Sequence, residues 1–439
     1  MPLSSPKTLR RLLPLTLLFA LPSLGQTPQP PQLSPDAAYN QVIQPLVLTR
    51  RDMANWSDSE LAAFAEAQSQ SRIACASRSP QLLSGEDLIA LARLCSLGQQ
   101  WSSVTAAATQ YLATPNQPHQ ADAYAFEIDA ALRIHDKDAA LAATHALFVA
   151  NLPFDPTVDA ALAEPIHYYQ LAYPSDALAL AAVREPLVLT ALSSPATATT
   201  VPLTTLNADA LTYAALQQFA GHPADAAKTV QDLDAALAAI PNLAPDQSIP
   251  IAESRRQYDL LGHHLPAISP STSLYATNET PRINTDYGSA TVLLLFPPWC
   301  AQCIRMGQSI LPTLTRLAGQ DIHIDALLAQ DPPPIAAPID PATHHMHHQH
   351  AAAEPELVEP KTAADLLRHT PTLIVPPATL TQFAATDFPL LIATDSTGIV
   401  RFLQPAPETA LNPGDFLEQV AHHIATQWPP TSHKAPPTH

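Results

Sequence analysis

Glycine is scarce in this sequence, at 10 of 439 residues, and so is positive charge, with Lys+Arg at 21 against Asp+Glu at 39. The formal net charge of −18 excludes a broad basic surface of the kind that holds nucleic acid. No run of 18 apolar residues exists, which excludes an ordinary membrane-spanning helix. Charged residues make up only 14% of the chain, yet hydrophobic residues reach 46%, so wholesale disorder is excluded as well. What the chain has in excess is proline, 47 residues or about 11%, against a typical ~5%. Little glycine, little charge and much proline imply packed Ala/Leu-rich helices with proline as the punctuation. The length corresponds to roughly two to three domains.

Residues 1–25 have the layout of a secretory signal peptide. Lys7, Arg10 and Arg11 make a positive start, and residues 12–25 form an apolar run of 14, too short to cross a bilayer. Ser23 and Gly25 put small residues just before Gln26. The alternative is a short buried helix, which Pro14 and Pro22 would damage. The expected location is therefore the periplasm or the exterior, with a weak membrane anchor if the segment stays uncleaved. Residues 26–56 read as an extended Pro-rich spacer.

Residues 57–265 alternate amphipathic helices with short breaks. Ser84 and Asp87 make a Ser/Thr-x-x-Asp/Glu helix start, and Gly98 stops that helix. Trp101, Val104, Ala108 and Tyr111 then recur at helical spacing. Further breaks fall near Asp136, Pro174 and Gly221, at intervals of 38, 38 and 47 residues counted from Gly98. The pattern implies stacked helix pairs, each burying its apolar stripe on the next. The stretch LIALARLCSLGQQWSSVTAAATQYLA resembles a degenerate tetratricopeptide-type repeat. That resemblance implies a concave surface for a partner protein; an all-α spacer without a ligand is the alternative.

The four cysteines form two pairs. Cys75 and Cys95 lie 20 residues apart in the helical region. An oxidising compartment and an even count favour a structural disulfide; two buried free thiols are the alternative. The sulfurs meet only if the segment around residues 77–84 folds back. Cys300 and Cys303 form a C-x-x-C between the apolar run TVLLLF and the helix-like stretch IRMGQSILPTLTRL. The motif thus sits where a buried strand ends and a helix begins. Free N–H groups and the dipole at a helix start stabilise a thiolate. A spacing of three puts both sulfurs on one helix face, within disulfide reach. One thiolate attacks a disulfide and the second resolves the mixed intermediate. A purely structural disulfide is an alternative. So is half a zinc site, although its second ligand pair is missing nearby.

Strand–WCxxC–helix, here VLLLFPPWCAQC, resembles the active site of the thioredoxin-like superfamily. The likeness continues through IHIDALL, the dipeptide Phe388-Pro389, LLIATDSTGIVRFL and the closing helix DFLEQVAHHIATQ, over residues 274–428. The order is similar to that of secreted TlpA-like thiol-disulfide oxidoreductases. The resemblance implies an exposed nucleophile at Cys300, a resolving thiol at Cys303 and a cis-proline at Pro389. Trp299 would shield the disulfide, and Trp299, Phe388 and Pro389 would seat the substrate. It also implies no cofactor beyond the redox-active Cys300–Cys303 disulfide. The buried acid found six residues before the first cysteine in cytosolic thioredoxins is Leu294 here, and the dipeptide between the cysteines is Ala301-Gln302.

Residues 331–360 form a Pro/His-rich insert containing His344, His345, His347, His348 and His350. Five imidazoles in seven residues are able to bind copper, nickel or zinc; a solvated loop without metal is the expectation. Residues 429–439 read as a disordered tail. The expected architecture is an all-α helical-hairpin array followed by an α/β thioredoxin-like domain. The expected function is extracytoplasmic thiol-disulfide exchange, in the reducing direction, with protein substrates and a membrane electron donor. The alternative is a helical scaffold carrying a redox-inert docking domain.

Overall fold

The computed structural model describes residues 32–51, 57–193, 201–240, 243–270, 272–273, 283, 290–300, 303, 322–330, 372–405 and 413–428. The expected signal segment, the expected His-rich insert, the stretch after Cys303 and the expected C-terminal tail lie outside these residues.

Among the described residues, eleven α-helices come first: α1 (Pro35–Thr49), α2 (Asp58–Ala76), α3 (Glu86–Leu97), α4 (Trp101–Leu112), α5 (Gln120–Arg133) and α6 (Lys137–Ala150), then α7 (Pro156–Tyr169), α8 (Pro174–Ser193), α9 (Leu203–Phe219), α10 (Pro223–Ala238) and α11 (Pro245–Tyr258). Their starts are written locally. Ser34 caps α1, Asp136 caps α6 and Asp155 caps α7, each accepting a hydrogen bond from a first-turn N–H. Ser57 and Glu60 form a full capping box at α2. The expected breaks near Asp136, Pro174 and Gly221 are the α5–α6, α7–α8 and α9–α10 turns.

Three expectations need correction. The spacer expected over 26–56 contains α1, because Ser34 caps and Pro35 sits at N1, where proline starts a helix rather than breaking it. The Ser84/Asp87 start is not used: α3 begins one residue later, with Gly85 at φ 55° in the cap position and no side-chain cap. The first strand of the α/β domain lies at Thr272–Ser273, just before the expected boundary at 274.

Successive helix pairs share buried clusters. One joins Cys75, Leu88, Leu91, Cys95, Val104, Ala108 and Tyr111. The next runs through Ile128, Leu132, Leu147, Leu162 and Tyr169. A third holds Val188, Leu192, Leu206, Leu211 and Leu233. Each buried Leu or Ile contributes about 1.5–3 kcal/mol from apolar burial. Gly98 ends α3 for a packing reason. It is not left-handed, but a Cβ there would lie 2.6 Å from the Arg72 backbone nitrogen of α2.

The C-terminal part is a six-stranded mixed sheet: β1 (Thr272–Ser273), β2 (Ala290–Phe296), β3 (Ile322–Ala329), β4 (Thr372–Val375), β5 (Leu390–Thr394) and β6 (Val400–Pro405), with α12 (Ala378–Gln382) and α13 (Pro413–Gln427). The strand order is β1-β4-β3-β2-β5-β6. β2, β3 and β4 run parallel, β5 returns antiparallel to β2, and β6 pairs antiparallel with β5. Every residue of β2 is buried, as expected of a central strand covered on both faces. Val292 and Leu294 pack with Phe416, Val420 and Ile424 of α13, whereas Leu293 and Leu295 pack with Leu327 and Phe383.

The helical array is fused to this sheet. Past α11, the chain lies antiparallel against the start of β6, bridging His264 to Ile399. Gly262 N donates to Val400 O, Val400 N to His263 O and Leu265 N to Gly398 O, each at 2.8 Å. Phe219, the last residue of α9, packs on Phe402 and stacks on His423, whose Nε2–H donates to the Phe219 carbonyl. This seam covers the β6 edge that would otherwise be open to another chain.

Candidate active site

The site is built at the C-terminal end of β2. The strand delivers Pro297, Pro298 and Trp299 to its mouth, and the Cys300 N–H donates to Pro297 O at 3.2 Å, closing a tight turn. Cys300 and Cys303 are joined by a disulfide with Cα atoms 5.3 Å apart. Cys300 is 7% exposed and Cys303 3%. The backbone N–H of Cys303 donates to Cys300 Sγ at 3.2 Å. A donor fixed on that sulfur favours its thiolate once the bond is reduced.

Across the mouth, the register pairs Leu295 of β2 with Leu390 of β5. It therefore carries Phe388 and Pro389 to the strand end where the cysteines begin. The Phe388–Pro389 peptide bond is cis. The Phe388 ring meets the Trp299 ring edge to face, centroids 5.5 Å apart, and Phe388 packs on the cluster of Phe296, Cys300, Cys303, Ala326 and Leu328. Trp299 is 43% exposed, so it forms the outer rim of an apolar mouth around the disulfide. The structure thus brings together Trp299, Cys300, Cys303, Phe388 and Pro389. The strand arrangement and the cysteine placement of the C-terminal domain are those that the thioredoxin-like resemblance implies.

Cys75 and Cys95 stand apart from this site. They form a second disulfide with Cα atoms 5.1 Å apart, buried between α2 and α3. The chain folds back between them through a 3₁₀ turn at Pro80–Leu82 and through Gly85. The five histidines from His344 to His350 lie outside the described residues, so the structure does not place them. Among the described residues, no cluster of three or more His, Cys, Asp or Glu side chains is arranged to hold a metal ion.

Leu294 occupies the buried place under the cysteine face, among Phe416 and Ile424 of α13. The neighbouring strand carries an acid that sequence reasoning missed. Asp325 of β3 is the Cα partner of Leu293, and burial pushes its carboxyl pKa up to about 6, with His323 opposing. Strand alternation turns Asp325 to the sheet face opposite Ala326, which packs with the cysteines. It therefore does not replace the acid missing at Leu294. An acid within the apolar run IHIDALL is its sequence signal.

No family model matches the chain, and no curated protein matches it either. Two solved structures are similar to part of it. One is the thioredoxin domain of a thiol-disulfide oxidoreductase from Bacteroides vulgatus, at 13% identity and a TM-score of 0.27, covering 37% of this chain and 97% of that one. The other is a thiol:disulfide interchange protein from Bacteroides sp., at 13% identity and a TM-score of 0.26, covering 37% of this chain and 90% of that one.

Proposed function

We propose that the protein is an extracytoplasmic thiol-disulfide oxidoreductase, acting as a reductant of protein disulfides. The observation that carries this reading is the Cys303 N–H aimed at Cys300 Sγ under the Trp299–Phe388 rim. In the reduced protein, Cys300 thiolate attacks one sulfur of a substrate disulfide and releases the other as a thiolate, which takes up a proton. Cys303, having lost its proton to water, attacks Cys300 Sγ and releases the second substrate thiol. Two electrons pass to the substrate, and the Cys300–Cys303 disulfide remains. A dithiol donor, proposed to lie in the membrane, returns the pair to its reduced state. With Leu294 in place of an acid, solvent serves as the proton acceptor for Cys303. Trp299, Phe388 and Pro389 line the seat for an extended substrate segment. The C-terminal domain is TlpA-like, and the helical array, tetratricopeptide-like in its stacking, presents a surface for a partner protein. The signal-peptide layout of residues 1–25 supports the location, and the tract His344–His350 takes no part in the exchange.

The test is disulfide exchange with a small protein substrate. Cys300→Ser removes turnover, and Cys303→Ser accumulates a mixed disulfide at Cys300. Turnover at the wild-type rate in Cys300→Ser overturns the reading. A redox midpoint of about −270 mV marks a reductant and about −120 mV a disulfide donor. The burial of both sulfurs favours one second reading, a scaffold with an inert disulfide. A Cys300–Cys303 pair that fails to equilibrate with a thiol buffer without denaturant would select it.

A further inference from the structure

Deep in the array, three helices meet at one guanidinium. Arg184 of α8 is 5% exposed. Its Nη2 lies 2.5 Å from Asp159 of α7 and 2.6 Å from Asp209 of α9. The next residue on α8, Glu185, is 8% exposed, and its Oε1 has no hydrogen-bond partner. Arg184, Glu185 and Asp209 border a cavity of about 10 Å³, closed by Ile166, Thr212 and Tyr213. That is room for one water molecule at most.

The charge count is lopsided: three carboxyls surround one cation. Every neighbouring element adds to the excess or stays neutral. From α10, Asp225 and Asp232 act on the hub with the same sign as its carboxylates. Tyr213 of α9 is uncharged, its phenol pushed up by burial. His167 of α7 lies on the solvent-exposed face of its helix and adds no buried cation to the hub. Ionising all three carboxyls would leave two uncompensated charges in an apolar interior, which costs several kcal/mol per ion. Burial accordingly pushes Glu185 up to about 7 and Asp209 up to about 6, with Arg184 opposing in both cases.

We propose that this hub is a pH-responsive latch: in acidic surroundings Glu185 is uncharged and the Arg184 pairs with Asp159 and Asp209 hold α7, α8 and α9 together, whereas ionisation of Glu185 at higher pH adds an uncompensated buried charge and loosens α9, which packs on the sheet domain. The consequence reaches the seam because α9 ends in Phe219, which packs on Phe402 and stacks on His423. The sign follows from linkage. An acid whose folded pKa is raised contributes its stability below the unfolded pKa and loses it as pH rises through the folded one. For Glu185 the window runs from about 4.5 to about 7.

The experiment uses the full chain. Urea unfolding is measured at pH 5.5 and 7.5 for wild type and for Glu185→Gln, which keeps the shape and removes the charge. The wild-type unfolding constant is expected to rise by about tenfold more than that of the variant. Parallel rises in the two proteins overturn the proposal. Hydrogen exchange on the wild type guards against a variant that fails to fold. After correction for intrinsic rates, α9 amides should lose at least about tenfold more protection between the two pH values than α3 amides. Equal losses in α9 and α3 overturn the latch as well.

Discussion

Removing the Phe219 ring tests whether the array and the sheet domain form one cooperative unit. Phe219 is buried at the end of α9 and faces Phe402 at 5.4 Å, His423 at 4.0 Å and Trp428 at 6.3 Å between ring centroids. A buried Phe→Ala change costs about 3–5 kcal/mol in lost burial and cavity formation. The stacked and tilted ring contacts place Phe219 in the middle of that range, so the expected loss is about 4 kcal/mol, a large part of the ~5–15 kcal/mol that holds a domain together. The carbonyl that accepts from His423 is backbone and survives the change. The strand pairing of residues 262–265 with β6 also remains, so the two parts stay attached. The assay is urea unfolding of the oxidised protein followed by helical circular dichroism and by tryptophan fluorescence. Wild type should give coincident transitions in the two signals. Phe219→Ala should move the midpoint down and separate them, because the sheet domain loses the face that couples it to α9. Two separated transitions in the wild type, or an unmoved midpoint in the variant, would refute the reasoning.

Replacing both Cys75 and Cys95 by Ala should lower stability by roughly 3 kcal/mol and leave disulfide exchange at Cys300 unchanged, as read by thermal melts and a turnover assay. Gly98→Ala should destabilise by about 1–3 kcal/mol, since its Cβ would meet the Arg72 backbone at 2.6 Å; a shift in melting temperature below the error of the scan would contradict that contact. Burial alone would raise the Asp395 carboxyl, but hydrogen bonds from Thr397, Arg401 and Ile399 outweigh it and hold the group below its ordinary value. Its contribution is therefore present above the unfolded pKa and lost as pH falls through the folded one. Asp395→Asn should flatten the acid limb of the stability profile, and an unchanged limb between pH 5 and 3 would count against this.

Much of the chemistry was legible because it is local. The C-x-x-C after an all-apolar run identified both the central strand and the place where its end opens. Phe388-Pro389 before LLIAT pointed to the returning hairpin. Breaks at Asp136, Pro174 and Gly221 carried the helix count through the middle of the chain, because capping residues and chain-turning residues act within a few positions of themselves. Two local signals were misread. Proline density around residues 26–56 suggested a spacer, although Ser34-Pro35 is a helix start. The short strand TLIV at Thr372–Val375, bounded by Pro371, Pro376 and Pro377, was overlooked beside the insert.

What sequence could not decide is whatever depends on two distant segments meeting. Composition and periodicity determined helices, strands and the place of the Cys300–Cys303 pair, since propensity, capping and strand alternation need only neighbours. Only the tertiary structure decided that Trp299 meets Phe388, that Gly98 is small for the sake of Arg72, and that Asp325 turns away from the cysteines. Only it joined Asp159, Arg184 and Asp209 from three helices. The physical reason is that burial and charge pairing are set by whichever surfaces close on one another, and a linear pattern records which face is apolar without recording its partner.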